Sequence, residues 1–240
     1  MNVSFLSVDP AVPPAVPPAV PLLKNINHIA HVMYINLAAR VDRKEHVETQ
    51  LRSIGISPEV ITRFDAIRLT NAALGCSMSH LKCMEIAKAN HFAEVMIVED
   101  DITFLNPPLF VRQMNAFLSK HTVWDVVLLA GNNFPPFLAI DNTCVQVSRC
   151  QTTTGYLVRE EYFDTLIDNF KTGIKEFIQN QTLVSMFAID QFWFHLQRAH
   201  NWFLIIPLTV TQRENDYSDI EKCVINYSSL MTDLTKTSMK

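Results

Sequence analysis

The run Glu99-Asp100-Asp101 follows directly on the apolar stretch Val95-Met96-Ile97-Val98. Side chains of an extended strand alternate between its faces, so if the backbone stays extended Glu99 and Asp101 project to the same side. Two carboxylates on one face can hold a hard cation such as Mg2+ or Mn2+, leaving other positions for water and a substrate diphosphate. The competing reading is a strand-end turn whose acids cap the helix that follows, and spacing alone leaves both open. A second cluster, Asn36 to Lys44, presents Arg40, Arg43 and Lys44 just after another apolar run. Guanidinium forks suit phosphate oxygens, but a solvated helix N-terminus has the same composition. A third polar cluster is Thr152-Thr153-Thr154. His80 shares a helical face with Cys76, Cys83 and Ala87 and reads as a packed, hydrogen-bonded core residue. No HExxH occurs, which argues against a zinc hydrolase.

The apolar runs and their punctuation supply the elements that must hold these groups. HVMYINL, from His31, reads as a buried strand, and Asp42 with Glu45 forms a capping-box-like start to a helix reaching about Gly55. A strand at 60–64, a helix from about Ala72 to Asn90 and the strand AEVMIVED follow. Pro107 and Pro108 open a helix to about Lys120, ahead of a strand at 125–130. Later candidates are strands at 144–150, 155–158 and 202–206, with helices over Arg159–Phe170 and Ile189–His200. Alternation of this kind predicts an α/β fold with a mostly parallel sheet covered on both faces. Ligands of open α/β sheets bind at the carboxyl ends of the strands, where the polar clusters fall.

The chain has 240 residues, 48% of them hydrophobic and 18% charged, which suits one sizeable core with an appendage. The appendage is residues 1–24, whose segment 10–21 reads PAVPPAVPPAVP; it is expected to be a disordered proline-rich tail, a spacer or a docking segment for a polyproline-reading partner, ahead of a domain at 25–240. A net charge of -4 without basic runs argues against nucleic acid as a partner. The five glycines, at 55, 75, 131, 155 and 173, are too scattered for a dinucleotide fingerprint or a P-loop. Five cysteines without a CxxC pair argue against a zinc ribbon and suggest a reducing compartment. No apolar stretch approaches the ~18 residues of a membrane span, and the expected location is cytoplasmic, at most peripheral to a membrane.

Several blocks in order carry a family pattern. YINLAARVDRK, RFDAI and GCSMSHLKCMEIAKANHFAEVMIVEDDITF, then TTTGYLVREEYFDTL, AIDQFW and IIPLTVTQRENDYSDIE, resemble glycosyltransferase family 25, the lipopolysaccharide and collagen-type galactosyltransferase group, over about residues 31–221. The resemblance implies a GT-A-type fold with a mostly parallel central sheet flanked by helices and Rossmann-like nucleotide-sugar binding. It implies a nucleotide-sugar donor, UDP-linked, an acceptor hydroxyl on a glycan or glycoconjugate as in lipopolysaccharide biosynthesis, and Mn2+ or Mg2+ held by Glu99 and Asp101. Asn36, Arg40, Arg43, Ser79, Asp100, Gln212, Ser218 and Asp219 become donor-site candidates. Asp190, the aspartate of AIDQFW, becomes the candidate base that takes the acceptor proton if the anomeric centre inverts. Where the family usually carries an acid soon after Asn-Leu, this chain has Ala38 and Ala39. The alternative from another class is a catalytically inactive transferase-like domain that binds glycans or a partner.

Overall fold

The computed structural model describes residues 23–218 and 220–236. The proline repeat and Asp219 lie outside the described residues. In chain order come β1 (Val32–Asn36), α1 (Val41–Ser53), β2 (Ile61–Asp65), α2 (Ala72–Ala89), β3 (Glu94–Glu99), β4 (Ile102–Phe104) and α3 (Pro107–Lys120). The middle holds β5 (Val126–Leu128), β6 (Asn132–Asn133), β7 (Leu138–Ala139), β8 (Cys144–Gln146), β9 (Cys150–Gln151), β10 (Gly155–Arg159) and α4 (Phe163–Gln179). Three short helices follow, α5 (Val184–Phe187), α6 (Ile189–Phe192) and α7 (Phe194–Ala199), then β11 (Trp202–Ile205), β12 (Val210–Gln212), β13 (Asp216–Ser218), β14 (Cys223–Ile225) and α8 (Ser228–Met231).

Eight strands form one sheet in the order β2-β1-β3-β10-β5-β11-β8-β7. The pairings leave only β10 and β8 opposed to the rest, so this is the expected mostly parallel α/β sheet with helices on both faces. Strand alternation divides the core. On β3, Met96 and Val98 join the cluster containing Val47, Leu51, Phe110 and Phe117 of α1 and α3. Val95 and Ile97 join the cluster of Cys83, Met84, Phe163 and Phe170 from α2 and α4. All four β3 side chains are fully buried, each worth about 2 kcal/mol relative to exposure.

Local chemistry sets the helix starts. Asn71 accepts from the Leu74 amide at the head of α2, and Asn106 accepts from the Leu109 amide ahead of Pro107 and Pro108 at the head of α3. The acids at 99–101 therefore do not cap the next helix. Four expectations need correction. The strand expected over 144–150 is split into β8, in the main sheet, and β9, which pairs with β6 in a sheet of two strands. The helix after β1 starts from Arg40 without a side-chain cap, so Asp42 and Glu45 form no capping box, and Asp42 instead pairs with Arg40. The helix expected to end at Phe170 runs on to Gln179, because Phe177 is fully buried in a small cluster with Ala73 and Leu74 of α2. The single helix expected over Ile189–His200 is broken into α6 and α7, with extended backbone at Ala188 in front of them.

Gly75 lies one turn into α2, directly under the loop that leaves β2. A Cβ there would collide with the Ile67 carbonyl oxygen, and the backbone cannot yield as a flexible side chain would. Gly75→Ala is expected to destabilise the fold by about 1–3 kcal/mol, read as a lowered urea midpoint with unchanged m.

Candidate active site

The helix after β1 leads to β2 on one side of it, while α2, on the opposite face, leads back across to β3 on the other side. The strand order thus reverses at the carboxyl ends of β1 and β3, the place where open α/β sheets bind ligands. Asn36 ends β1 and Glu99 ends β3. Asp100 and Asp101 form the turn between β3 and β4, and the Arg213 amide, just beyond β12, donates to the Asp101 carbonyl at 2.7 Å.

One ionic network surrounds this turn. Asp100 accepts from Asn36 Nδ2 at 2.8 Å and from Arg43 Nη1 at 2.9 Å. Arg43 also donates to Asp216 of β13 at 2.7 Å, and its Nη1 lies 3.6 Å from Asp101 Oδ2. Arg40 reaches Asp216 at 2.8 Å and Asp42 at 3.1 Å, and Arg213 reaches Asp42 at 3.0 Å. Burial works to raise the Asp216 pKa, but Arg40 and Arg43 outweigh it and hold it below the usual carboxylate value. Asp100 stays above its usual value, because burial exceeds what Arg43 and Asn36 return.

Glu99 faces a different set. Its Oε1 accepts from Thr153 Oγ1 at 2.8 Å and Cys76 Sγ at 3.5 Å, with His80 Nε2 at 3.4 Å. The other ring nitrogen of the fully buried His80 meets the Tyr156 hydroxyl at 2.8 Å, so β10 supports the acid from below through α2. Burial raises the Glu99 pKa, and His80, Thr153 and Cys76 together more than reverse this. His80 is thus a hydrogen-bonded core residue as expected, yet one that orients the acid.

Asp101 is the unsatisfied member. Its Oδ1 is a buried acceptor without a hydrogen-bond partner among the described residues, and burial followed by the charges of Glu99, Asp100 and Asp216 pushes its pKa up to about 8 despite Arg43. Among the described residues, Asp42, Asp100, Asp101 and Asp216 share the guanidinium groups of Arg40, Arg43 and Arg213, Glu99 adds its charge beside Asp101, and the nearby Arg63 donates to Asn36 and Asp65 instead. An unpartnered carboxylate oxygen within a cluster short of positive charge is what a hard divalent cation would satisfy, so the residues present fit such an ion.

Asp190, in α6, approaches the same region. Its Oδ2 accepts from the Thr152 amide at 3.0 Å. Thr152 holds φ at +75°, an unfavourable conformation for a β-branched residue, and its amide is thereby committed to Asp190. The fully buried Trp193 and Gln197 anchor this segment by donating to the Cys150 carbonyl at 3.1 and 2.8 Å. Burial, with the Glu99 charge adding to it, raises the Asp190 pKa.

The other candidates lie at the margins. Ser79 is fully buried beneath the β2–α2 loop, its hydroxyl accepting from the Ile67 amide and donating to the Gly75 carbonyl. Gln212 pairs with Ile102, next to the acidic turn. Ser218 ends β13 and its hydroxyl accepts from the Glu221 amide, a turn cap. Thr153, from the third polar cluster, does reach Glu99, whereas Cys76, Tyr156 and Asp216 join the network only through the fold and carry no local signal.

Residues 62–193, more than half of the chain, match the family described as Glycosyltransferase family 25 (LPS biosynthesis protein). The chain belongs to glycosyltransferase family 25. A curated relative, the human Inactive glycosyltransferase 25 family member 3, is 25% identical over 188 residues, 67% of this chain and 30% of its own length. This family 25 chain thus spans under a third of that relative. Among solved structures it resembles a mannose-1-phosphate geranyltransferase from Thermus thermophilus (7% identity, 73% of each chain, TM-score 0.44). It also resembles a glycosyltransferase involved in glycosylation of the PBCV-1 major capsid (10%, 72% of this chain and 79% of that one, TM-score 0.42). A third is a Drosophila β-1,4-galactosyltransferase 7 in complex with manganese, UDP-Gal and xylobiose (12%, 88% and 76%, TM-score 0.36). No helix among the described residues is long and apolar enough to cross a membrane.

Proposed function

We propose that this family 25 chain is a metal-dependent glycosyltransferase that moves a sugar from a UDP-linked donor to a hydroxyl of a glycan or glycoconjugate. The observation that carries the reading is the acidic turn at the strand-order reversal, with its buried, unpartnered Asp101 Oδ1. Glu99 and Asp101 are the residues that would hold Mn2+ or Mg2+. When bound, the cation supplies positive charge against that which develops on the leaving diphosphate.

The protein's own groups do the rest. Asn36 and Arg43 fix Asp100 and so shape the turn, while Arg40 and Arg43 bring positive charge to the side where phosphates enter. Gln212, beside the acidic turn, and Ser218, at the end of β13, would border that mouth, with Asp219 kept as a donor-site candidate on the sequence alone, and Ser79 holds the β2–α2 loop. Asp190 takes the proton from the acceptor hydroxyl; desolvation makes its carboxylate a better base, and the Thr152 amide fixes its direction.

One observation favours the non-catalytic alternative, a domain that binds glycans or a partner without turnover. Arg43 already stands 3.6 Å from Asp101, so a guanidinium partly fills the role of a cation there. Nucleotide sugars incubated with the protein separate the two readings, because slow transfer to water needs no known acceptor. The expected result is release of nucleoside diphosphate with Mn2+ and none in EDTA. Calorimetric binding of nucleoside diphosphate with no release from any donor would favour the non-catalytic domain.

A further inference from the structure

A second group of ligand-type side chains stands apart from the acidic turn. His121 directly follows α3, Asp141 precedes β8 and Cys144 opens β8, a strand four places from β3 across the sheet. The ligand atoms of these three residues lie within 4.8 Å of one another. His121 Nε2 is 3.2 Å from Asp141 Oδ2 and 3.9 Å from Cys144 Sγ. Around a tetrahedral Zn2+, bond lengths of about 2.0–2.3 Å place nitrogen and oxygen ligands about 3.3 Å apart and nitrogen and sulfur about 3.6 Å apart. The observed separations fall close to both.

The supporting contacts also suit a ligand set. Asp141 Oδ1 accepts from the Thr143 amide at 2.7 Å and the Thr143 hydroxyl at 2.6 Å, which fixes the carboxylate and turns Oδ2 toward His121. The His121 ring is held against Phe117 at 4.8 Å between centroids and near Phe203 at 6.1 Å. Cys144 is fully buried, while the side chains of His121 and Asp141 are 21% and 27% exposed, so the solvent side can admit a water as fourth ligand. Lys120 Nζ lies 3.4 Å from Asp141 Oδ2 and is half exposed; it would swing into solvent when an ion arrives.

We propose that His121, Asp141 and Cys144 form a second metal site, selective for Zn2+ over Mn2+ or Mg2+ because it supplies one thiolate and one imidazole. Binding releases the thiol proton, and the ion ties the end of α3 to the start of β8. This site is independent of the proposed transferase chemistry.

Titration of the full chain with Co2+, then Zn2+, tests it. A thiolate-to-cobalt charge-transfer band should rise to one equivalent, be displaced by Zn2+, and be lost in Cys144→Ser and in His121→Gln. The partly exposed His121 keeps the test valid if the Cys144 variant does not fold. Thr143→Val, which loosens Asp141, should weaken Zn2+ binding by about tenfold or more. Cys76→Ser must leave the band intact, since Cys76, His80 and Glu99 form another thiol-containing group. No thiolate band in the wild-type protein, or a band that survives Cys144→Ser and vanishes in Cys76→Ser, would overturn the assignment.

Discussion

Asp101→Ala is expected to lower Mn2+-dependent sugar transfer by about 10²- to 10³-fold or more, the scale on which one electrostatic group acts in a charge-stabilising site. The fold should not suffer. Asp101 Oδ1 has no hydrogen bond to lose, and the carboxylate stands among Glu99, Asp100 and Asp216, whose charges oppose its own. The same physics gives a pH signature in EDTA. Its folded pKa, pushed up to about 8, lies above the ordinary value of about 3.9, so the folded protein keeps a proton that the unfolded chain releases. That contribution is fully present below about pH 4, is lost as pH rises to about 8, and then levels off. Thermal midpoints across this range should fall less steeply in Asp101→Asn than in wild type. Wild-type turnover by Asp101→Ala at saturating Mn2+ would remove Asp101 from the metal site.

Asp190→Asn should keep donor and metal affinity while transfer falls by about 10²-fold or more, because the amide preserves size and still accepts from the Thr152 amide but cannot take a proton. Donor hydrolysis and transfer to an acceptor should be followed separately from nucleotide binding by calorimetry. Loss of donor binding would place Asp190 among the binding groups instead, and undiminished transfer would exclude it from the chemistry. Thr152→Gly offers a check on position: it relieves the positive φ yet loosens the segment that aims the amide, so a fall in rate without a fall in donor affinity is expected.

The first half of the fold was legible because its signals are local. The apolar runs at Val32 and Val95 and the Pro107-Pro108 start each specify an element within a few residues. The direction of β10 was not, since GYLV carries apolar character and no polarity of pairing; its antiparallel place between β3 and β5 is decided by the fold around it. The break between α6 and α7 was equally hidden, for the segment is pulled toward Cys150 by Trp193 and Gln197 across more than forty positions of chain. In the site, Glu99 and Asp101 announced themselves as acids on the end of a buried strand. Asp216 gave no such sign, being 173 positions from the Arg43 it binds. The expectation that Arg40 and Arg43 stand ready for phosphate did not include the carboxylates that already occupy them.

Arg43 touches both the acidic turn and Asp216 on the β13 strand, and this shared guanidinium has a thermodynamic corollary. A cation held at Asp101 would weaken one side of Arg43's attachments and shift it toward Asp216, or free both. Reciprocity then requires that whatever grips or releases the β13–β14 hairpin change cation affinity by the same factor as the cation changes the hairpin's hold. A partner or acceptor that bound the β13–β14 hairpin and disturbed the Arg43–Asp216 pair would thus be coupled, through that one guanidinium, to any cation held at Asp101.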